Sequence, residues 1–231
     1  MSSSNREKVI IFGTNQLASL AHFYFDHDTN FETVAFTVDA DYLKSSDFRG
    51  LPVISFENIL SVYPPDQYKL FIPISFKKMS FVRKQKFEEA KKMGYTCVSY
   101  VSSKATTWPD LKIGENCFIF EDNTIQPFVS IGDNCIFWSG NHIGHHTQIG
   151  NHVFLTSHVV ISGCCNIGNN SFFGVNSTVR DETNIGEGTL VGMGAIITKD
   201  TRPYSVWHGS KSVEKDQRSI DLDSLSHKSN G

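Results

Sequence analysis

The chain has 231 residues, room for one or two domains with a substantial core. Its formal net charge of -3 argues against a general nucleic-acid binder, and no apolar run reaches the roughly 18 residues needed to span a bilayer. Five cysteines are too few for a disulfide scaffold, and the opening MSSSNREK lacks the apolar stretch of a secretory leader, so a cytoplasmic protein is expected.

Residues 8–13 (KVIIFG) read as a short buried strand ending in a glycine turn, and residues 15–26 place Leu17, Leu20, Ala21 and Tyr24 at helical spacing. Strands are expected at 34–38, 52–55, 69–75 and 95–101, with Pro73 best placed near a sheet edge and an amphipathic helix over 81–93 stopped by Gly94. Strands alternating with helices predict a small, parallel, Rossmann-like α/β domain over residues 1–101. Such a sheet takes ligands at the carboxyl ends of its strands. Gly13, Thr14 and Asn15 would offer backbone N–H groups and a helix N-terminus to a phosphate, and Asp39, after the second strand, would bond a ribose or a base. GTNQLAS is not the G-x-G-x-x-G fingerprint, so no nicotinamide role is expected.

Residues 102–111 form a junction, and from Ile113 the chain repeats every six residues without an insertion. Every sixth residue from Ile113 to Ile197 is large and apolar; every residue four places further on, from Cys117 to Thr201, is small or medium. One flat strand and one tight corner per six residues describe a parallel β-helix. Ile-Gly recurs at Ile113, Ile131, Ile149, Ile167 and Ile185, eighteen residues apart, so three faces make one coil and there are five coils. Residues eighteen apart are then vertical neighbours at strand spacing. Cys117, Cys135 and Cys165 fall on the inward small register, whereas Cys164, adjacent to Cys165, must face out.

Histidines concentrate in the second and third coils, and the six-residue frame turns His145, His146 or both outward. An imidazole can accept a proton at neutral pH. Eighteen residues on from His145 stands Gly163, whose N–H is open to an approaching carbonyl; base and oxyanion donor would be one strand spacing apart.

The repeat region resembles the hexapeptide-repeat acyltransferases, which implies an all-β, left-handed parallel β-helix over residues 102–209. The whole chain resembles the bacterial sugar acetyltransferases that include sialic-acid O-acetyltransferases and N-acetyltransferases of nucleotide-linked amino sugars. Their motif V-[IV]-E-H-[DE]-x-x-I-G aligns without a gap on residues 142–150, HIGHHTQIG. The resemblance implies that His145 is the general base, that the Gly163 N–H holds the thioester oxyanion, and that acetyl-CoA contacts Gly163, Gly174, Gly192, Ala195 and Lys199. It further implies a nucleotide-linked sugar on the amino-terminal domain, a homotrimer with sites between subunits, and no metal.

Two departures stand out: the family's acid after the base is here His146, leaving Asn141 or another subunit to orient His145, and the family's second histidine is replaced by Phe154. With the acidic partner absent, N-acetylation of an amino sugar is favoured over sugar O-acetylation. Trp138, Phe154 and Phe173 are candidates for packing between subunits. The closing YSVWHGSKS carries Ser210 and Lys211 where the family has Asn and Pro, and a polar tail over 210–231 offers Ile220, Leu222 and Leu225 for docking on a neighbour. The rivals are a metal enzyme of the γ-carbonic-anhydrase type built on His142 and His146, and a scaffold without catalysis.

Overall fold

The computed structural model of the chain describes residues 6–214, 216 and 219–221. The amino-terminal unit runs β1 (Glu7–Phe12), α1 (Gln16–Asp28), β2 (Phe31–Val38), β3 (Asp47–Phe48), β4 (Leu51–Ser55), α2 (Ile59–Val62), β5 (Lys69–Phe71) and α3 (Phe81–Lys92). Its sheet has the order β3-β4-β2-β1-β5 and is parallel except for β3. Alternate residues of β1 feed two cores: Val9 and Ile11 pack with α1, Ile10 and Phe12 with Ile59, Phe87 and Ala90. Both faces are covered, which is why KVIIF is apolar throughout rather than alternating. The edge is β5, and Pro73 follows it, so the missing N–H interrupts no ladder.

The strand expected at 95–101 does not stay in this sheet. Cys97 bridges Leu70, and then β6 (Tyr100–Val101) pairs with Phe118–Ile119 on the first coil. The Ser99 hydroxyl, bonded to Gly114 O and Cys117 N, draws the chain across, so this segment is shared by both units.

The carboxyl-terminal unit is a five-coil parallel β-helix. Fifteen two-residue strands from Lys112–Ile113 to Ile196–Ile197 stack on three faces with partners eighteen residues apart throughout, as Ile131↔Ile149 and Ile143↔Ile161. Large residues from Ile119 to Ile197 fill the prism, and the small register from Cys117 to Thr201 is buried at the corners. Trp207, on a last strand paired with Leu190–Val191, packs against the end of this core.

Each corner is turned by a residue with positive φ, and these also stack at eighteen. The first column is Asn116, Asn134, His152, Asn170 and Gly188; the second Asp122, Gly140, His158, Asn176 and Gly194; the third Phe128, His146, Cys164 and Glu182. Asn, Asp, His and Gly tolerate this left-handed conformation best, so the first two columns follow local preference and the third departs from it.

One face of the prism carries outward-pointing apolar residues. Phe118, Phe120, Ile136 and Phe154 pack against Leu17, Ala18, Ala21 and Phe25 of α1, with Trp138 and Phe172 at the margin. The two units therefore share one core. Phe154 and Phe173, expected on an outer surface, are 2% and 0% exposed, and Trp138 is half-buried. Phe154 is covered by the chain's own domain, and Phe173 belongs to the inward register. Arg83 of α3, 0% exposed, completes the contact by donating to Ile74 O, Ser75 O, Asn134 O and His152 O. Of the tail residues singled out above, Ile220 is exposed, and Leu222 and Leu225 lie outside the described residues.

Candidate active site

His145 and His146 stand at the third corner of the second coil, both exposed. The backbone places His146 in the left-handed region at φ 59°, which swings its ring back so that the two Nδ1 atoms lie 3.1 Å apart. One ring must carry its proton on Nδ1 for this contact to be a hydrogen bond. Where that ring is His145, its Nε2 keeps a free lone pair. The partner expected to be missing is thus His146 itself, a neutral group in place of an acid. Phe128, one coil earlier in the column, holds the His146 ring at 4.7 Å between centroids.

Gly163 lies under the His145 ring. A Cβ at 163 would stand 2.9 Å from His145 Cε1 and 3.0 Å from Nε2, so only glycine admits the imidazole in this position. The His145 N–H donates to Gln126 Oε1, 2.8 Å away, whereas the Gly163 N–H donates to no group among the described residues. An imidazole nitrogen and an open backbone N–H side by side can accept a proton and hold a developing oxyanion.

Other expected residues fall elsewhere. Asn141 is 1% exposed and belongs to the interior: its amide donates to Asn123 Oδ1 and Trp138 O, and its oxygen accepts from Val159 N. It does not reach His145, because its position is on the inward register. Ala195 is 3% exposed on the same register and offers no side chain to a ligand outside. Gly174 is buried against Gly192 and Met193 of the next coil, so close coil stacking alone requires a glycine there. Gly192 is half-buried and Lys199 is exposed, its ammonium 6.0 Å from the Trp207 ring. His142, half-buried on a strand, is not part of the group formed by His145, His146 and Cys164.

The amino-terminal unit carries a cavity of about 640 Å³ where α1 begins, lined by Thr14, Asn15, Gln16, Phe48, Arg49, Ser75 and Trp138 among others. Gly13, at φ 110°, makes the turn into it, and the Asn15 side chain caps α1 by accepting from Ala18 N. The thirteen-residue α1 thus points its N-terminus and dipole at this cavity, with Arg49 the one charged side chain of the lining. Asp39 is not there. It forms an ion pair with Lys86 of α3 at 2.6 Å, and that nearby cation draws it away from the cavity. Phe48 from β3, Arg49 from the turn after it and Trp138 from the second coil lie outside the strand-turn-helix unit, so no local pattern in the sequence joins them to this cavity.

Cavity and imidazole lie on opposite sides of the prism. The amino-terminal unit docks on the face containing Phe137, and the corner holding His145 lies between the other two faces. With six residues per face at about 3.3 Å each, a face centre is on the order of 15 Å from the opposite corner.

Residues 110–145 match the model of the bacterial transferase hexapeptide (six repeats), and residues 166–199 that of the hexapeptide repeat of succinyl-transferase. No curated protein matches the chain by sequence. Among solved structures, the acetyltransferase domain of PglB from Neisseria gonorrhoeae is 20% identical with a TM-score of 0.77, covering 88% of this chain and 97% of its own. PerB from Caulobacter crescentus is 22% identical with a TM-score of 0.76, covering 87% and 94%. WeeI from Acinetobacter baumannii is 20% identical with a TM-score of 0.68, covering 86% and 94%. These likenesses establish the fold: a small α/β domain joined to a left-handed parallel β-helix built of transferase hexapeptide repeats.

Proposed function

We propose that the protein is an acetyl-CoA-dependent acetyltransferase that N-acetylates a nucleotide-linked amino sugar for surface-glycan synthesis in the cytoplasm. The observation that carries this reading is the His145 ring lying over Gly163 with its Nδ1 on His146. PerB, of the same fold, was solved with CoA and GDP-perosamine, and the PglB domain with acetyl-CoA.

The sugar amine attacks the thioester carbon and the carbonyl oxygen becomes an oxyanion, which the Gly163 N–H holds. His145 Nε2 takes the proton that the nitrogen loses as the C–N bond forms. Collapse of the tetrahedral intermediate breaks the C–S bond and releases CoA thiolate, which is then protonated. His146, a neutral acceptor, fixes the His145 tautomer but polarises it less than a carboxylate. That suits an amine, a better nucleophile than a hydroxyl.

The cavity with Arg49 is the seat for the nucleotide diphosphate, and Gly192 and Lys199 are retained as contacts for acetyl-CoA along the later coils. A sugar held in this cavity cannot reach the His145 of its own chain, so a neighbouring copy supplies the base, in keeping with a homotrimer. The first test is CoA release from acetyl-CoA over a panel of UDP-, dTDP- and GDP-linked amino sugars, with free hydroxyl sugars alongside. His145→Ala is expected to lower kcat by about 10²–10⁴-fold; undiminished turnover would remove His145 as the base. Mixed assemblies of His145→Ala and Arg49→Ala chains are expected to recover part of the activity that either lacks alone. No recovery would sink the two-copy site.

A further inference from the structure

We propose that His145, His146 and Cys164 form a binding site for a thiophilic divalent cation of the zinc type, and that its occupation switches acetyl transfer off. Their ligating atoms all lie within 4.8 Å of one another. Tetrahedral zinc, with Zn–N near 2.05 Å and Zn–S near 2.3 Å, requires N···N of about 3.3 Å and N···S of about 3.6 Å. His145 Nδ1 and His146 Nδ1 are 3.1 Å apart, and Cys164 Sγ is 3.9 Å from His145 Nδ1. The remaining pair, Cys164 and His146, lies within the same 4.8 Å, so rotation of these surface side chains by up to about an ångström closes the tetrahedral geometry and leaves a fourth position open to water. Two imidazoles and a thiolate select zinc-like ions over magnesium or calcium.

The positions of His146 and Cys164 point the same way. They occupy consecutive levels of the third corner column at φ 59° and 58°, a conformation that His tolerates and Cys does not favour. The first two columns each hold a single histidine, His152 and His158, between Asn and Gly neighbours, whereas here a histidine and a cysteine are stacked on consecutive levels.

On binding, the Cys164 thiol loses its proton to solvent as the metal–sulfur bond forms. Coordination at His145 Nδ1 leaves the one proton of the neutral ring on Nε2, and the lone pair that would accept a proton from the amine is gone. The His145–His146 hydrogen bond is replaced by two metal–nitrogen bonds, and no oxidant or reductant is involved.

This inference rests on His145 as the base, so metal binding and acetyl transfer are measured separately on the full chain. Titration with Co²⁺, followed by its thiolate charge-transfer absorption, is expected to give one ion per chain. Zn²⁺ is expected to inhibit, and Mg²⁺ and Ca²⁺ to have no effect. Cys164→Ser is expected to keep metal-free activity, abolish the charge-transfer band and weaken zinc inhibition by at least the about 10–100-fold that loss of a supporting group costs a metal site. No band, or one that survives in Cys164→Ser, overturns the site. Cysteine-dependent cobalt binding with undiminished transfer overturns the switch. Failure of Zn²⁺ to bind overturns the site; binding without inhibition, with transfer still lost in His145→Ala, overturns the switch and leaves His145 as the base.

Discussion

Two corners of the same β-helix share one backbone conformation and differ in everything built on it. In the first, Asn116, Asn134, His152 and Asn170 are buried beneath the amino-terminal unit; in the third, Phe128, His146 and Cys164 are exposed. Three members of the buried column form a relay. Asn116 donates to Asn134 Oδ1, and Asn134 donates to His152 Nδ1, which must therefore be unprotonated there. The exposed column ends in lone pairs and an open N–H. Cover, rather than backbone, decides which histidine is structural and which is free to react.

The largest effect is expected where the cover is attached. Arg83→Ala leaves the carbonyls of Ile74, Ser75, Asn134 and His152 without their buried donor and opens a void between the units. Denaturant unfolding should show a loss of about 3–5 kcal/mol, with kcat little changed at low temperature. Next comes the exposed corner. Gly163 does not have a positive φ, so alanine is tolerated by the backbone and collides only with the His145 ring. Gly163→Ala should keep the melting temperature and lower kcat by about 10²-fold. A proportionate fall in stability would show instead that Gly163 serves packing.

The buried corner also has an acid signature. Burial, with Arg83 and Lys84 nearby, pushes the His152 pKa down from 6.5 to about 4. The unfolded chain therefore binds a proton that the folded chain refuses. Stability is fully present above pH 6.5 and falls as the pH drops toward 4, by on the order of 2 kcal/mol after allowance for partial screening. His152→Asn, which extends the asparagine column at a φ that Asn accepts, should flatten this part of the pH–stability curve. An unchanged slope between pH 6.5 and 4 would shift the cause to other groups.

The coils were legible because a repeat tests itself: Ile113 to Ile197 states one rule fifteen times, and the structure obeys it to the residue. His145 above Gly163 followed from that rule by adding eighteen. Contacts without a period were not legible. Asp39 was assigned by its place after β2, but Lys86, forty-seven residues away, holds it. Phe154 read alone gives no sign of burial; its column does. Phe118, Ile136, Phe154, Phe172 and Leu190 form a column at eighteen that is apolar throughout, while the matching positions on another face are Lys112, Ser130, Gln148, Asn166 and Asn184. That contrast marks the docked face. The same period, applied to corners, would have stacked Cys164 on His146.

The smallest expected effect separates orientation from bulk at the exposed corner. His146→Asn suits the left-handed backbone and should not lower stability, but it removes the ring nitrogen that meets His145 Nδ1. If His146 fixes the tautomer of the base, kcat should fall by about tenfold, near 1.4 kcal/mol, with KM for acetyl-CoA unchanged. His146→Asp offers a charged, acceptor-only carboxylate where the asparagine amide presents either a neutral oxygen or a donating NH2, in a residue that also tolerates this φ. Recovery of kcat in the aspartate variant and not in the asparagine variant is the pattern that orientation demands. Equal losses in both would make His146 a packing partner of Phe128, and would leave the imidazole of His145 to be held by its seat on Gly163 alone.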